Sequence, residues 1–109
     1  MFQRGDILLI RSVPDPQGGN AKDRPCLVID EVENNYICIA ITSSYSANDP
    51  LRIELPWAVP QHPRTGLHKR CAAACDWFVE VSVQEVIEKI GYCPGKALLK
   101  IMQVISTLS

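Results

Sequence analysis

Hydrophobic residues along this chain fall first in short strand-length runs and only near the end at helical spacing. Asp6 to Val13 is apolar and β-branched enough for a strand, and the cluster Pro14-Asp15-Pro16-Gln17-Gly18-Gly19-Asn20 cannot continue it, so a long irregular loop follows. Cys26-Leu27-Val28-Ile29 opens a second strand, Glu33-Asn34-Asn35 reads as a hairpin turn, and Tyr36 to Thr42 makes a third strand antiparallel to the second. Leu51-Arg52-Ile53-Glu54-Leu55 alternates with period two, the mark of a strand with one face in water. Pro56, Pro60 and Pro63 give a structured but irregular excursion as far as Gly66, and His68 to Val81 supplies a fifth strand. Then the period changes. Val83, Val86, Ile87 and Ile90 stand at helical spacing behind Ser82, with Glu85 completing a capping box and Gly91 as the stop. After Pro94-Gly95 a second helix is expected to run to the C-terminus, with Leu98, Ile101, Met102, Ile105 and Leu108 on one stripe against the sheet. The expected architecture is α+β and mainly β: a strongly curved antiparallel sheet of about five strands, or an SH3-like small barrel, with C-terminal helices over one opening.

Composition narrows this to one domain spanning residues 1–109, since 109 residues give room for a single core. With 47% hydrophobic and 21% charged residues, neither a disordered tail nor a membrane protein is indicated. Ile7 to Ile10 are four consecutive apolar residues, far short of a signal-peptide core or a membrane span, so a cytoplasmic protein with no membrane association is expected. Five cysteines, an odd number, fit reduced thiols better than a disulfide framework. Cys26 and Cys38, in strand-like runs, read as small buried hydrophobes. The net charge of −1 carries no global basic excess, so any nucleic-acid binding must come from a local patch.

Gly91-Tyr92-Cys93-Pro94-Gly95-Lys96 is one residue short of a P-loop, has Ala97 where the metal-binding hydroxyl belongs, and is expected to follow a helix instead of a strand. Its glycines read as helix punctuation. His62, His68, Cys71 and Cys75 match no common zinc spacing, because same-face strand positions four apart are separated by about 13 Å. No metal and no cofactor is expected. Between Glu54 and Asp76 the chain has no acidic residue, while Arg64, Lys69 and Arg70 concentrate positive charge. The first loop adds Lys22 and Arg24, the latter beside rigid Pro25, and Thr42-Ser43-Ser44 leaves three hydroxyls where the third strand ends.

Taken in order, Arg4-Gly5-Asp6-Ile7-Leu8-Leu9, Arg24-Pro25-Cys26-Leu27-Val28-Ile29, Ile39-Ala40-Ile41-Thr42-Ser43-Ser44, Thr65-Gly66-Leu67 and Cys75-Asp76-Trp77 resemble the MazF/PemK family of toxin endoribonucleases over essentially the whole chain. The resemblance implies a bacterial type II toxin: a homodimer that cuts single-stranded RNA at short sequences without metal and is held inactive by an antitoxin protein. It places the family's essential arginine at Arg24 and its essential threonine at Thr42. Lys22, Ser43 and Asp76 fall at or near positions that shape the substrate groove, and Arg64 and Lys69 of the basic patch join them as candidate substrate contacts. Some members carry an arginine two residues before the position of Asp76, where this chain has Ala74.

Metal-free cleavage requires the 2′-OH to attack its own phosphorus, with charge stabilised on the phosphorane and a proton returned to the leaving 5′ oxygen. Arg24 suits the charge, Thr42 suits a hydrogen bond to phosphate or 2′-OH, and the base is Asp76 or water. Rival readings are a catalytically silent binding module, a small zinc protein and a CcdB-like gyrase poison. The resemblance implies that CcdB toxins use a tryptophan near the C-terminus, whereas here only Trp57 and Trp77 occur and the chain closes on Ile105-Ser106-Thr107-Leu108-Ser109.

Overall fold

The structure is a computed structural model that describes residues 1–57 and 65–108. Its strands are β1 (Asp6–Val13), β2 (Lys22–Val32), β3 (Asn35–Thr42), β4 (Arg52–Glu54), β5 (Ala72–Ser82) and β6 (Val86–Tyr92), followed by helix α1 (Gly95–Ser106). They form one six-stranded sheet in the order β4-β5-β3-β2-β1-β6. Every pairing is antiparallel. Among the described residues the ladder stays open, with β4 and β6 at its edges.

The near-continuous apolar runs of β1, β2 and β3 follow from burial on both faces. Ile7, Leu27, Ile29, Ile39 and Ile41 point to one face, where Leu98, Ile101, Met102 and Ile105 of α1 pack against them. Leu8, Ile10, Cys26, Val28, Cys38 and Ala40, the alternate residues, fill a second core with Tyr36, Val81 and the partly buried Trp77 and Val79. Each fully buried Ile or Leu in these layers stabilises the fold by about 1.5–3 kcal/mol. The helical stripe therefore forms as its spacing predicts, with Ile101 fully buried, while Leu108 lies beyond α1 and is exposed. Among the described residues no helix is long and apolar enough to cross a membrane.

Val83–Ile90 is not a helix. The Ser82 N–H does donate to the Glu85 carboxylate at 2.9 Å, but this closes only the 3-10 turn Val83–Glu85. The chain then extends as β6, pairing Ile10 with Val86, Leu9 with Glu88 and Leu8 with Lys89. β1 has a second edge to satisfy once β2 occupies the first, and β-branched Val86, Ile87 and Ile90 suit a strand at least as well as a helix. Lys89 Nζ adds a 3.1 Å ion pair to the buried carboxylate of Asp6. The expected count of about five strands and two helices thus becomes six strands and one α-helix among the described residues. Gly91 lies within β6, so the Gly91–Lys96 segment follows a strand after all, though its missing residue and Ala97 still set it apart from a P-loop.

Gly66 is obligatory where it stands. Its φ is +71°, and a Cβ there would lie 2.0 Å from the carbonyl oxygen of Ile90. Thr65, fully buried beside it, donates its hydroxyl to the Pro56 carbonyl at 2.7 Å and anchors the segment that leads into β5.

Candidate functional site

The β2–β3 register brings two of the singled-out residues to one place. Cys26 pairs with Ala40, and Arg24 and Thr42 each lie two residues beyond that pair, so both stand at the same end of the ladder. Their parity sets them on the face of Cys26, Val28, Cys38 and Ala40. β5 supplies the facing wall. Between the pairs Ile41↔Ala73 and Ile39↔Phe78 it spends three more residues than β3, and Asp76 and Trp77 fall inside that irregularity. Departures of this kind re-aim side chains that a regular ladder would hold in line.

The result is a cleft of about 330 Å³ lined by Lys22, Arg24, Thr42, Ser43 and Asp76, joined by Arg52, Trp77 and, from the β1–β2 loop, Asp15 and Gln17. Five of the sequence-derived candidates thus share one cleft. Lys69 does not face it. It lines a neighbouring cavity of about 620 Å³, walled by Leu9, Ile41, Leu67 and Ile90, which meets the cleft at Lys22, Arg24 and Ser43. Arg64 and His62 lie outside the described residues. Arg70 is engaged elsewhere, in a 2.9 Å ion pair with Glu54.

Arg24 is held under unusual constraint. Its guanidinium lies 4.8 Å from the centroid of the Trp77 ring, and its side chain is only 11% exposed. The nearest carboxylate, Asp15, is 3.9 Å from Nη2, beyond hydrogen-bond reach. Among the described residues its Nε is buried without a partner. A buried donor left unmade is costly, so the site holds an arginine short of acceptors and poised for an anion. Thr42 is fixed by its own turn, with Oγ1 accepting from the Ser44 N–H at 3.1 Å and donating to the Ser44 carbonyl at 3.3 Å.

Arg52 escapes a reading of the sequence by motif. It occupies the polar phase of the Leu51–Leu55 alternation, opposite Ala74 in β5, and its Nη1 donates to Oδ1 of Asp76, two residues on, at 2.6 Å. Diagonal neighbours across antiparallel strands lie within reach of a long side chain. The sequence signal was the alternation itself, which turns Arg52 away from the buried Ile53. Nothing in the sequence announces that Trp77, the neighbour of Asp76, floors Arg24.

The five cysteines are all free and buried. Burial pushes the thiols of Cys26 and Cys38 up to about 12, and those of Cys71, Cys75 and Cys93 up to about 11. Cys26, two residues from Arg24, is therefore a core atom and no nucleophile.

A family model described as PemK-like, MazF-like toxin of type II toxin-antitoxin system matches residues 3–108. No curated relative matches the sequence. Among solved structures the chain is similar to MazF from Deinococcus radiodurans, with a TM-score of 0.74 at 15% identity over 98% of this chain and 94% of that one. It is similar also to the Mycobacterium tuberculosis toxin MazF-mt6, with a TM-score of 0.70 at 16% identity over 94% and 93% of the two chains. An endoribonuclease in complex with its cognate antitoxin, from a mycobacterial species, gives 0.71 at 13% identity over 98% and 93%. At such identities the likeness is one of fold.

Proposed function

The chain belongs to the PemK-like, MazF-like toxins of type II toxin-antitoxin systems, and we propose that it is a metal-independent endoribonuclease that cuts single-stranded RNA through attack of the 2′-OH on the adjacent phosphorus. The observation that carries this reading is the meeting of Arg24, Thr42 and Asp76 in one cleft, with an arginine buried on Trp77 and short of acceptors. The guanidinium stabilises charge on the phosphorane, where a preorganised donor matters most. The Thr42 hydroxyl, already oriented by Ser44, turns to a phosphate oxygen or the 2′-OH. Asp76 or a water takes the 2′ proton. Arg52 holds Asp76 through Oδ1 and so fixes the direction of its other oxygen. The P–O5′ bond breaks, a proton goes to O5′, and the products are a 2′,3′-cyclic phosphate, which opens to a 3′-phosphate, and a 5′-hydroxyl. Lys22 and Ser43 line the same cleft and contact the substrate backbone. The nucleophile belongs to the substrate, so no metal-bound hydroxide is required.

The same reading makes the protein a homodimer whose activity an antitoxin blocks; the mycobacterial neighbour described in complex with its cognate antitoxin supports the existence of such a partner and no more. Sedimentation at micromolar concentration is expected to give twice the chain mass. The catalytic proposal is tested by incubating unstructured RNA with the protein in EDTA and mapping both ends. Cyclic or 3′-phosphate and 5′-hydroxyl termini at a short recurrent sequence are expected. Intact RNA, or cleavage that begins only when Mg²⁺ is added, overturns it.

A further inference from the structure

Arg52 lines two cavities. One is the cleft of Arg24 and Thr42, and the other, of about 590 Å³, lies between β4, the segment that follows β3 and the first turns of α1. The walls of this second cavity include Tyr45, Glu54, Lys96 and Lys100. Lys96 and Lys100 stand four apart on α1 and so project on one side of the helix. Both are exposed, and neither has an acidic partner among the described residues. The carboxylate on the wall is already occupied: Glu54 accepts from the Tyr45 hydroxyl at 2.9 Å and from Arg70 Nε at 2.9 Å. That bond holds the Tyr45 ring in place, with the Arg70 guanidinium 5.5 Å from the ring centroid. The cavity thus presents a fixed aromatic ring and two uncommitted cations, and it continues the catalytic cleft through Arg52.

We propose that this second cavity is a nucleotide subsite for single-stranded RNA, in which one base stacks on Tyr45 while Lys96 and Lys100 take the phosphates that follow the one held at Arg24. The proposal rests on the endoribonuclease reading above and adds where the strand goes next. Aromatic stacking beside a basic track is how proteins hold single strands without reading the base edge, and every base offers a face to stack. A single strand alternates flat base and phosphate and so meets the ring and the two cations together, which is why RNA is favoured over an acidic polypeptide as the occupant.

The test uses oligonucleotides around the mapped cleavage site that carry one 2′-deoxy sugar at the scissile position, lengthened a nucleotide at a time from either end. Affinity is measured by fluorescence anisotropy for the wild type, K96E/K100E and Tyr45→Ala. Lengthening at one end tightens binding to the wild type by about tenfold. The ratio of wild-type to K96E/K100E affinity rises with that lengthening, and the salt slope of the longest oligonucleotide falls by about 1.4, the value for two phosphate contacts on a single strand. Tyr45→Ala loses the gain from length with little change in slope. A ratio that stays flat with length overturns the subsite while leaving the catalytic reading intact, as does binding of poly-glutamate that the lysine variant loses while its RNA affinity holds. A wild type that neither binds nor cuts any RNA overturns both.

Discussion

The cleft at the end of the β2–β3 ladder and the segment leading into β5 each present an arginine, and the two are held in opposite ways. Arg24 lies on Trp77, mostly buried, and among the described residues its nearest carboxylate is at 3.9 Å and one N–H is without a partner. Arg70 is exposed and matched at 2.9 Å to Glu54, whose carboxyl is held below its usual range by hydrogen bonds from Arg70 and then Tyr45. Linear charge density favours the second region, where Arg64, Lys69 and Arg70 lie within seven residues. Burial and unmet hydrogen-bonding capacity favour the first. Reactivity follows from what a charge lacks, and a satisfied surface pair contributes little to either stability or binding.

The largest effect should separate these two arginines. Arg24→Ala is expected to lower the cleavage rate about a hundred- to a thousandfold, the usual effect of losing a preorganised donor at a developing oxyanion, with folding retained by circular dichroism. Arg70→Ala should stay within about twofold in rate under the same conditions, as exposed pairs do. Equal losses in the two variants would mean that the unmet N–H of Arg24 confers no special role. Thr42→Ala, which removes one hydrogen bond, is expected to cost about tenfold in rate. Trp77→Leu removes the face on which Arg24 rests and should cost about two- to fivefold, the worth of a partly exposed cation–π contact.

Within β2 the same contrast recurs two residues apart: Arg24 serves the cleft and Cys26 the core. Thiols whose folded values are raised favour the neutral form. Their contribution to stability is complete below the unfolded value of about 9 and is lost as the pH climbs from there toward 11 and 12. Urea midpoints should therefore fall between pH 8.5 and 10.5, at up to about 1.4 kcal/mol per pH unit for each thiol that ionises on unfolding. Substituting Cys26 and Cys38 with alanine should flatten that fall and leave RNA cleavage at pH 7 standing. An alkaline limb unchanged by the double substitution would assign the instability to other groups.

Most of the sheet is legible because β1 and β3, buried on both faces, leave near-continuous apolar runs, and β4, with one face toward water, leaves an alternation. The error at Val83–Ile90 is instructive, since a genuine Ser82–Glu85 cap and i, i+3, i+4 spacing both signalled a helix. What the sequence did not contain was the empty edge of β1, a tertiary demand that decided the matter for β-branched residues. The candidate site divides in the same manner. Arg24 and Thr42 were legible from the ordered segments that carry the family resemblance, and the β2–β3 register then sets them together. Arg52 and the seat of Arg24 on Trp77 depend on the β4–β5 pairing and on three additional residues in β5. Neither leaves a local mark in the chain. Lys69 and Arg70 failed to join the cleft because adjacency in sequence says nothing about which cavity a side chain faces.

In the proposed mechanism Arg24 and Thr42 serve an attack by the substrate's own 2′-OH. The most direct test is a short RNA carrying one 2′-deoxy sugar on the 5′ side of the mapped scissile phosphate, incubated with the wild-type protein in EDTA beside the all-ribose control. Cleavage of the control and complete protection of the substituted strand at that one position is the predicted result. Cleavage of both at similar rates would contradict it.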